Sequence, residues 1–234
     1  AQEQVFDGLK ELLRAPDAQA ALLFGVTGSG KTLVYLHLIA QALAAGQGAI
    51  LLVPEISLTP QTVARFRGRF GDAVAVMHSR MSDGERYDQW DFIKSGAAKV
   101  VVGARSALFT PAANVGLIVI DEEHEGSYKQ DSSPRYHARD VAEWMMARAG
   151  GALVLGSATP SIEALYQVNK NPRWTAAALP ERANGRGPGP GGSHITVNFR
   201  WPLGSEGLHL TATRNCSPGR WARNSLRVAR RCFC

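Results

Sequence analysis

Gly25-Val26-Thr27-Gly28-Ser29-Gly30-Lys31-Thr32 spells G-x-x-x-x-G-K-T, and no other stretch restricts the fold of this chain so tightly. Ala21-Leu22-Leu23-Phe24 before it reads as a buried strand, and Leu33 to Ala40 after it as a helix with few polar positions. Strand, glycine-rich loop and helix in that order make a backbone cradle for phosphate. Gly25, Gly28 and Gly30 let the chain turn its N–H groups inward. The helix starting near Lys31 aims the positive end of its dipole at the same anion. Lys31 is placed to reach the β- and γ-phosphates and Thr32 to hold Mg²⁺, with Thr27 and Ser29 in the loop between the glycines. A glycine-rich turn that binds nothing has no use for the Lys-Thr pair.

The rest of the chain agrees with this start. Gln2 to Arg14 has helical spacing, stopped by Pro16-Asp17. Ala49–Val53, Val74–Met77, Lys99–Gly103, Val115–Ile120 and Ala152–Gly156 read as five further buried strands. Between them lie helices: one capped by Thr59 with Pro60 at its first position, a polar one over Ser82 to Lys94, one over Ala138 to Ala149 and one from Ser161 to about Val168. Continuous apolar strands alternating with helices specify an α/β fold with a mostly parallel sheet covered on both faces. Such sheets bind ligands at the carboxyl ends of their strands. The polar signals sit at those ends: the glycine-rich loop, Pro54-Glu55, Gly103-Ala104-Arg105, Asp121-Glu122 and Gly156-Ser157.

Asp121 and Glu122 close an apolar strand, which gives two adjacent carboxylates separate jobs in nucleotide hydrolysis. Asp121 would hold the Mg²⁺ shell and Glu122 would act as catalytic base on the attacking water. Glu123 reads as a solvated or supporting group. The Trp144-Met145-Met146 cluster has the helical spacing of core, and His37 reads as a core-edge residue. His78-Ser79 stands out without a role legible from its surroundings.

The ordered set Gly25–Thr32, Pro54-Glu55-Ile56-Ser57-Leu58-Thr59, Gly103-Ala104-Arg105-Ser106-Ala107, Asp121-Glu122-Glu123-His124 and Gly156-Ser157-Ala158-Thr159-Pro160 resembles motifs I, Ia, Ib, II and III of superfamily 2 helicases on one RecA-like lobe. The run from Asp121 through Ser127-Tyr128-Lys129-Gln130, Pro134-Arg135-Tyr136 and Ala138-Arg139-Asp140 is similar to the bacterial primosomal replication-restart helicases, over roughly residues 1–182. The resemblance implies a cytoplasmic, ATP- and Mg²⁺-dependent 3′-to-5′ DNA helicase. Its partners would be single-stranded and forked DNA, other primosome proteins and single-strand-binding protein. By position it makes Gln4 a reader of adenine and His124, Ser157 and Thr159 couplers of ATP state to DNA. Pro54, Ser57, Thr59, Arg105, Ser106, Tyr128, Lys129, Arg135 and Tyr136 become DNA contacts. The segment Gly126 to Arg139 has a physical reading of its own, a loop too polar for a core in which aromatics stack on bases and cations meet phosphates.

Charge divides the chain in two. Residues 1–180 hold 17 Lys and Arg against 18 Asp and Glu, whereas 181–234 hold nine Arg, no Lys and two Glu. The net +6 therefore belongs to the tail, and it says nothing about nucleic-acid binding by the body. Cys216, Cys232 and Cys234 lie in the tail as well, so the body has neither a disulfide framework nor thiol chemistry. No stretch approaches the ~18 apolar residues of a membrane span. From Gly185 a Gly/Pro-rich linker leads into scattered Arg, Trp and Cys without period. Residues 183–234 read as a disordered or out-of-frame tail where the family has a second lobe, the expected source of an arginine finger. Zinc belongs to the full-length family, and the Cys spacing of the tail does not form a zinc site. Two further readings remain at this point, a nucleotide- and DNA-binding module without turnover and a small-molecule kinase. The kinase leaves Asp121–His124 and Ser157–Thr159 unexplained.

Overall fold

The computed structural model describes residues 2–11 and 19–179, together with two short strands further on. Helix α1 (Gln2–Lys10) precedes strand β1 (Gln19–Gly25), and α2 (Lys31–Ala44) follows the glycine-rich loop. Then come β2 (Gly48–Leu52), α3 (Pro60–Phe70), β3 (Val74–Met77), α4 (Asp83–Lys94), β4 (Val100–Gly103) and β5 (Val115–Asp121). A small antiparallel pair, β6 (Lys129–Gln130) and β7 (Tyr136–His137), leads into α5 (Ala138–Ala149), β8 (Ala152–Ser157), α6 (Ile162–Lys170) and β9 (Trp174–Leu179). The chain divides into two units, Ala1–Gly187 and Pro188–Cys234. In the second, β10 (Val197–Asn198) pairs antiparallel with β11 (His209–Leu210). The expectations placed on residues 12–18, on the linker and on the tail cysteines lie outside the described residues.

Seven strands form one parallel sheet in the order β3-β4-β2-β5-β8-β1-β9. Side chains alternate between its faces, and each face closes its own core. Ala21, Leu23, Leu51, Val119 and Val154 pack with Leu9, Val34, Leu38, Ile39 and Phe66 under α1, α2 and α3. Leu22, Ile50, Leu52, Ile118, Ile120 and Leu155 pack with Ile93, Leu108, Ala142, Met146 and Ala164 under α4, α5 and α6. At about 1.5–3 kcal/mol per buried large aliphatic side chain, this two-sided burial is the main force holding the sheet. Helix starts follow the expected chemistry. Thr59 accepts from the Thr62 N–H at 3.2 Å, Ser82 and Glu85 form a reciprocal capping box, and Ser161 accepts from the Ala164 N–H.

Two readings need correction. The sequence pattern shows six strands, but Trp174–Leu179 adds a seventh beside β1; its Ala-rich text carries little β-propensity and takes its conformation from the pairing. The first helix is present over Gln2–Lys10, and the part of it expected over residues 12–14 lies outside the described residues. Trp144 is 61% exposed and stacks under the Arg148 guanidinium, so of that cluster Met146 is core and Met145 packs half-buried against that core. Of the two readings of Glu123, solvated or supporting, the second holds, since it is 1% exposed and bonded to Ser161. His37 does sit at the core edge, its ring edge-on to Phe6.

Candidate active site

The register of the sheet brings the tips of β1, β5 and β8 level: Phe24 lies beside Ser157, and Asp121 beside Gly156. Between β1 and α2 the backbone turns through left-handed conformations at Gly28 (φ 80°) and Gly30 (φ 92°), which glycine adopts without strain. A Cβ on Gly25 would lie 2.6 Å from Ser29 Oγ, so the wrap of the loop also requires glycine there. Gly30 occupies the N-cap of α2 and supplies no side-chain acceptor, leaving the first N–H groups of the helix to a ligand. The loop, Leu33, Leu36, Arg65, Asp121 and Glu122 line a cavity of about 530 Å³. A larger one of about 790 Å³ lies between α3 and α4, but it lacks this convergence of phosphate-binding and acidic groups.

Lys31 is buried to 8% exposure, donates from Nζ to the Gly25 carbonyl at 3.0 Å and lies 3.2 Å from Glu122 Oε1. Glu122 itself has a left-handed backbone, φ 46°, an uncommon conformation for a side chain of this size. The chain around it is pinned: the Glu123 N–H donates to Gly156 O at 3.0 Å and the Glu125 N–H to Glu122 O at 2.9 Å. The Asp121 carboxylate accepts from the Tyr35 hydroxyl at 2.9 Å. Burial pushes its carboxyl above its ordinary range, an effect reduced by that hydrogen bond. The residues present fit a hard divalent cation, which the Thr32 hydroxyl and the Asp121 carboxylate would hold in a cavity wide enough for water as well.

From this centre hydrogen bonds run outward. His124 Nδ1 is 2.7 Å from Ser157 Oγ, which accepts from the Thr159 N–H at 3.0 Å. His124, Ser157 and Thr159, the three expected to couple ATP state to DNA, are therefore joined in one chain of hydrogen bonds. The buried Glu123 carboxylate accepts from the Ser161 N–H at 2.7 Å and its hydroxyl at 2.8 Å, with Arg139 Nη1 4.0 Å away. This clamp joins the end of β5 to the starts of α5 and α6; Ser161 was legible only as a helix start, and Arg139, at the end of the segment read as a DNA-facing loop, lies instead in α5 and is 13% exposed beside Glu123.

The other half of the rim, at β2, β4 and β3, gathers the expected DNA contacts. Pro54 opens a short helical turn, Ser57 O accepts from Thr62 Oγ1, and Thr59 caps α3. Glu55 accepts from the Ser79 N–H and hydroxyl, which holds its carboxyl below its usual range and supplies the missing role for His78-Ser79. A cavity of about 330 Å³ is lined by Glu55, Ser79, Arg105, Ser106, Gln130 and Tyr136, among others. Arg105 donates to Ser127 O at 3.0 Å, to Lys129 O and to Gln130 Oε1, and lies 5.6 Å over the Tyr136 ring. Tyr136 meets the half-exposed Phe109 edge to face, an aromatic partner the motifs did not single out. Lys129 and Arg135 are exposed on the loop, tied to Asp131. Tyr128 is a correction: it is 1% exposed and donates to Asp121 O at 2.7 Å, so its ring is core and cannot stack on a base. Gln4 lies in α1, and its side chain is outside the described residues.

A parallel sheet bearing a phosphate loop at one strand tip and an acidic pair two strands away defines a nucleotide-binding motor lobe. The chain belongs to the DEAD/DEAH box helicase family, whose sequence profile matches residues 2–168. It is 51% identical to the replication restart protein PriA of Bacillus subtilis (strain 168) over 185 residues, covering 79% of this chain and 23% of that protein. It is 50% identical over 169 residues to PriA of Synechocystis sp. (strain ATCC 27184 / PCC 6803 / Kazusa), covering 70% and 20%. The chain thus spans about a quarter of the length of the curated relatives it matches. Among solved structures, RecG bound to a three-way DNA junction has a TM-score of 0.57 at 19% identity, covering 82% of this chain and 24% of that one. The Pyrococcus furiosus Hef helicase domain has 0.53 at 23%, covering 76% and 37%. The motif-based resemblance holds at the level of family and of fold.

Proposed function

We propose that residues 1–182 are the ATP-hydrolysing motor lobe of a DNA helicase acting in replication restart. One observation carries the reading: Lys31, Asp121 and Glu122, some 90 residues apart in sequence, converge on one cavity beneath an open glycine loop. Bound Mg·ATP supplies the phosphoanhydride bond whose cleavage drives movement. Lys31 exchanges Glu122 and Gly25 O for phosphate oxygens, which frees Glu122 to orient the attacking water. Thr32 and Asp121 hold the cation, the loop N–H groups from Thr27 to Gly30 cradle the phosphates, and Gln4 reads adenine. His124, Ser157 and Thr159 carry the change of state toward DNA.

Single-stranded DNA would cross the rim formed by Pro54, Ser57, Thr59, Ser106, Lys129, Arg135 and Tyr136, with Arg105 bracing the loop. Tracking is 3′ to 5′ on forked substrates, in the cytoplasm, alongside other primosome proteins and single-strand-binding protein. Translocation requires two lobes that close and open on ATP. A lobe without an arginine finger forgoes ~10³–10⁵ in rate, and Arg65 is the one arginine lining the cavity among the described residues. Residues 1–182 acting alone are therefore expected to bind ATP, turn it over slowly and leave duplex DNA intact. The alternative, a module that binds nucleotide and DNA without turnover, draws on the Lys31–Glu122 pair, which occupies the base. Steady-state ATPase with and without single-stranded DNA, with Glu122→Gln as blank, separates the two. Slow turnover above the blank supports the motor lobe, and none supports the module.

A further inference from the structure

Tyr35 lies just beyond the phosphate-loop motif, yet it reaches two others, at Asp121 and at Gly156. It leaves α2 one turn beyond the phosphate loop, is 1% exposed, and crosses beneath the strand tips to place its hydroxyl 2.9 Å from Asp121 Oδ1. It passes over Gly156, the first residue of the Gly-Ser-Ala-Thr stretch. A Cβ on Gly156 would fall 1.6 Å from the Tyr35 hydroxyl oxygen and 3.3 Å from Asp121 Oδ1. Gly156 has an ordinary strand conformation, paired with Leu23 and Asp121, so backbone freedom does not call for glycine there. The space is kept for the hydroxyl. On the opposite side Tyr128 donates to the Asp121 carbonyl. Asp121 is thereby held by a tyrosine from each face of the sheet, one on its carboxylate and one on its backbone.

We infer that Tyr35 is a positioning residue for the cation site: its hydroxyl occupies Asp121 Oδ1 and turns the other carboxylate oxygen toward Mg²⁺. This rests on the reading of the cavity as a Mg·ATP site. A buried carboxylate without that donor would be free to rotate or to pair with Lys31, which already lies within reach of Glu122. Outer groups that orient a ligating carboxylate are worth about 10–100-fold in metal affinity. A tyrosine that only fills space would lose nothing in that respect when its hydroxyl is removed, since phenylalanine keeps the ring.

The experiment uses the whole chain and reads binding of a fluorescent ATP analogue, titrated with Mg²⁺ and repeated in EDTA. In Tyr35→Phe, the Mg²⁺ concentration for half-maximal tightening should rise about tenfold, while affinity in EDTA stays that of the parent. In an Asp121→Asn background the same substitution should add little, because the two act through one contact. Gly156→Ala, which must push the hydroxyl aside, should reproduce the Mg²⁺ effect and provides a second reading should Tyr35→Phe fold poorly. Parental Mg²⁺ dependence in folded Tyr35→Phe, or in Gly156→Ala, overturns the inference, as does full additivity with Asp121→Asn. Failure of the parent to bind the analogue at all would instead remove the nucleotide reading on which it rests.

Discussion

The two halves of the strand-tip rim are built from the same kinds of residue and behave differently. At β1, β8 and β5 the charged groups are wholly or largely withdrawn from water and satisfied by one another: Lys31 by Glu122, Asp121 by Tyr35, Glu123 by Ser161. On the other half Lys129 and Arg135 face solvent and rest on Asp131, while the half-buried Arg105 rests on loop carbonyls. Buried groups with fixed partners are preorganised and respond strongly to the loss of one atom. Exposed groups are interchangeable and suit a ligand that presents repeating phosphates and bases. Burial, more than residue type, separates a half suited to chemistry from a half suited to grip.

That contrast can be broken by substitution, with effects expected to fall from the first half to the second. Lys31→Ala should weaken ATP binding by about thirtyfold to several thousandfold, since removing one member of a buried charge pair costs about 2–5 kcal/mol; calorimetric affinity near the parent's would end the division. Glu122→Gln should leave ATP affinity within a few-fold and reduce whatever turnover exists by about 10²–10⁴, the usual reach of a general base. Glu123→Ala should lower stability by about 2–3 kcal/mol because Ser161 and Arg139 lose their buried acceptor; urea unfolding measures it, and an unchanged midpoint would mean that the clamp is idle.

On the gripping half the expected effects are smaller. Arg105→Ala should reduce affinity for single-stranded oligonucleotide several-fold, as the Tyr136 loop loses its brace, while ATP affinity stays put. Fluorescence anisotropy with both ligands tests this, and a larger loss for ATP than for DNA would reverse the assignment. Ser79→Ala should be smallest, within about 0.5 kcal/mol for so exposed a contact. Its sign with pH is definite. Ser79 lowers the Glu55 pKa, so its stabilisation is present above the unfolded-state value and lost as pH falls through the folded one. The stability gap between parent and variant, measured by thermal melts, should therefore be present at neutral pH and close on acidification.

Strand existence, sheet type and the nucleotide-facing tips were legible from local pattern. A buried parallel strand must be continuously apolar, and Gly28, Gly30, Lys31 and Thr32 are dictated by the backbone and chemistry of the loop they form. The capping residues Thr59, Ser82 and Ser161 were legible for the same reason, since each acts on a backbone group three residues away. Tertiary structure alone decided the rest. Trp174–Leu179 became a strand because β1 offered an open edge. Tyr128 looked like a loop aromatic until the folded chain covered it, and burial decided between the solvated and the supporting reading of Glu123. The contacts of Tyr35 with Asp121, Ser79 with Glu55 and Arg105 with Gln130 join residues 86, 24 and 25 positions apart. Periodicity and spacing record what a residue does to its own segment. Which distant carboxylate a hydroxyl meets depends on register and crossover, and those are set by the packing of the whole sheet.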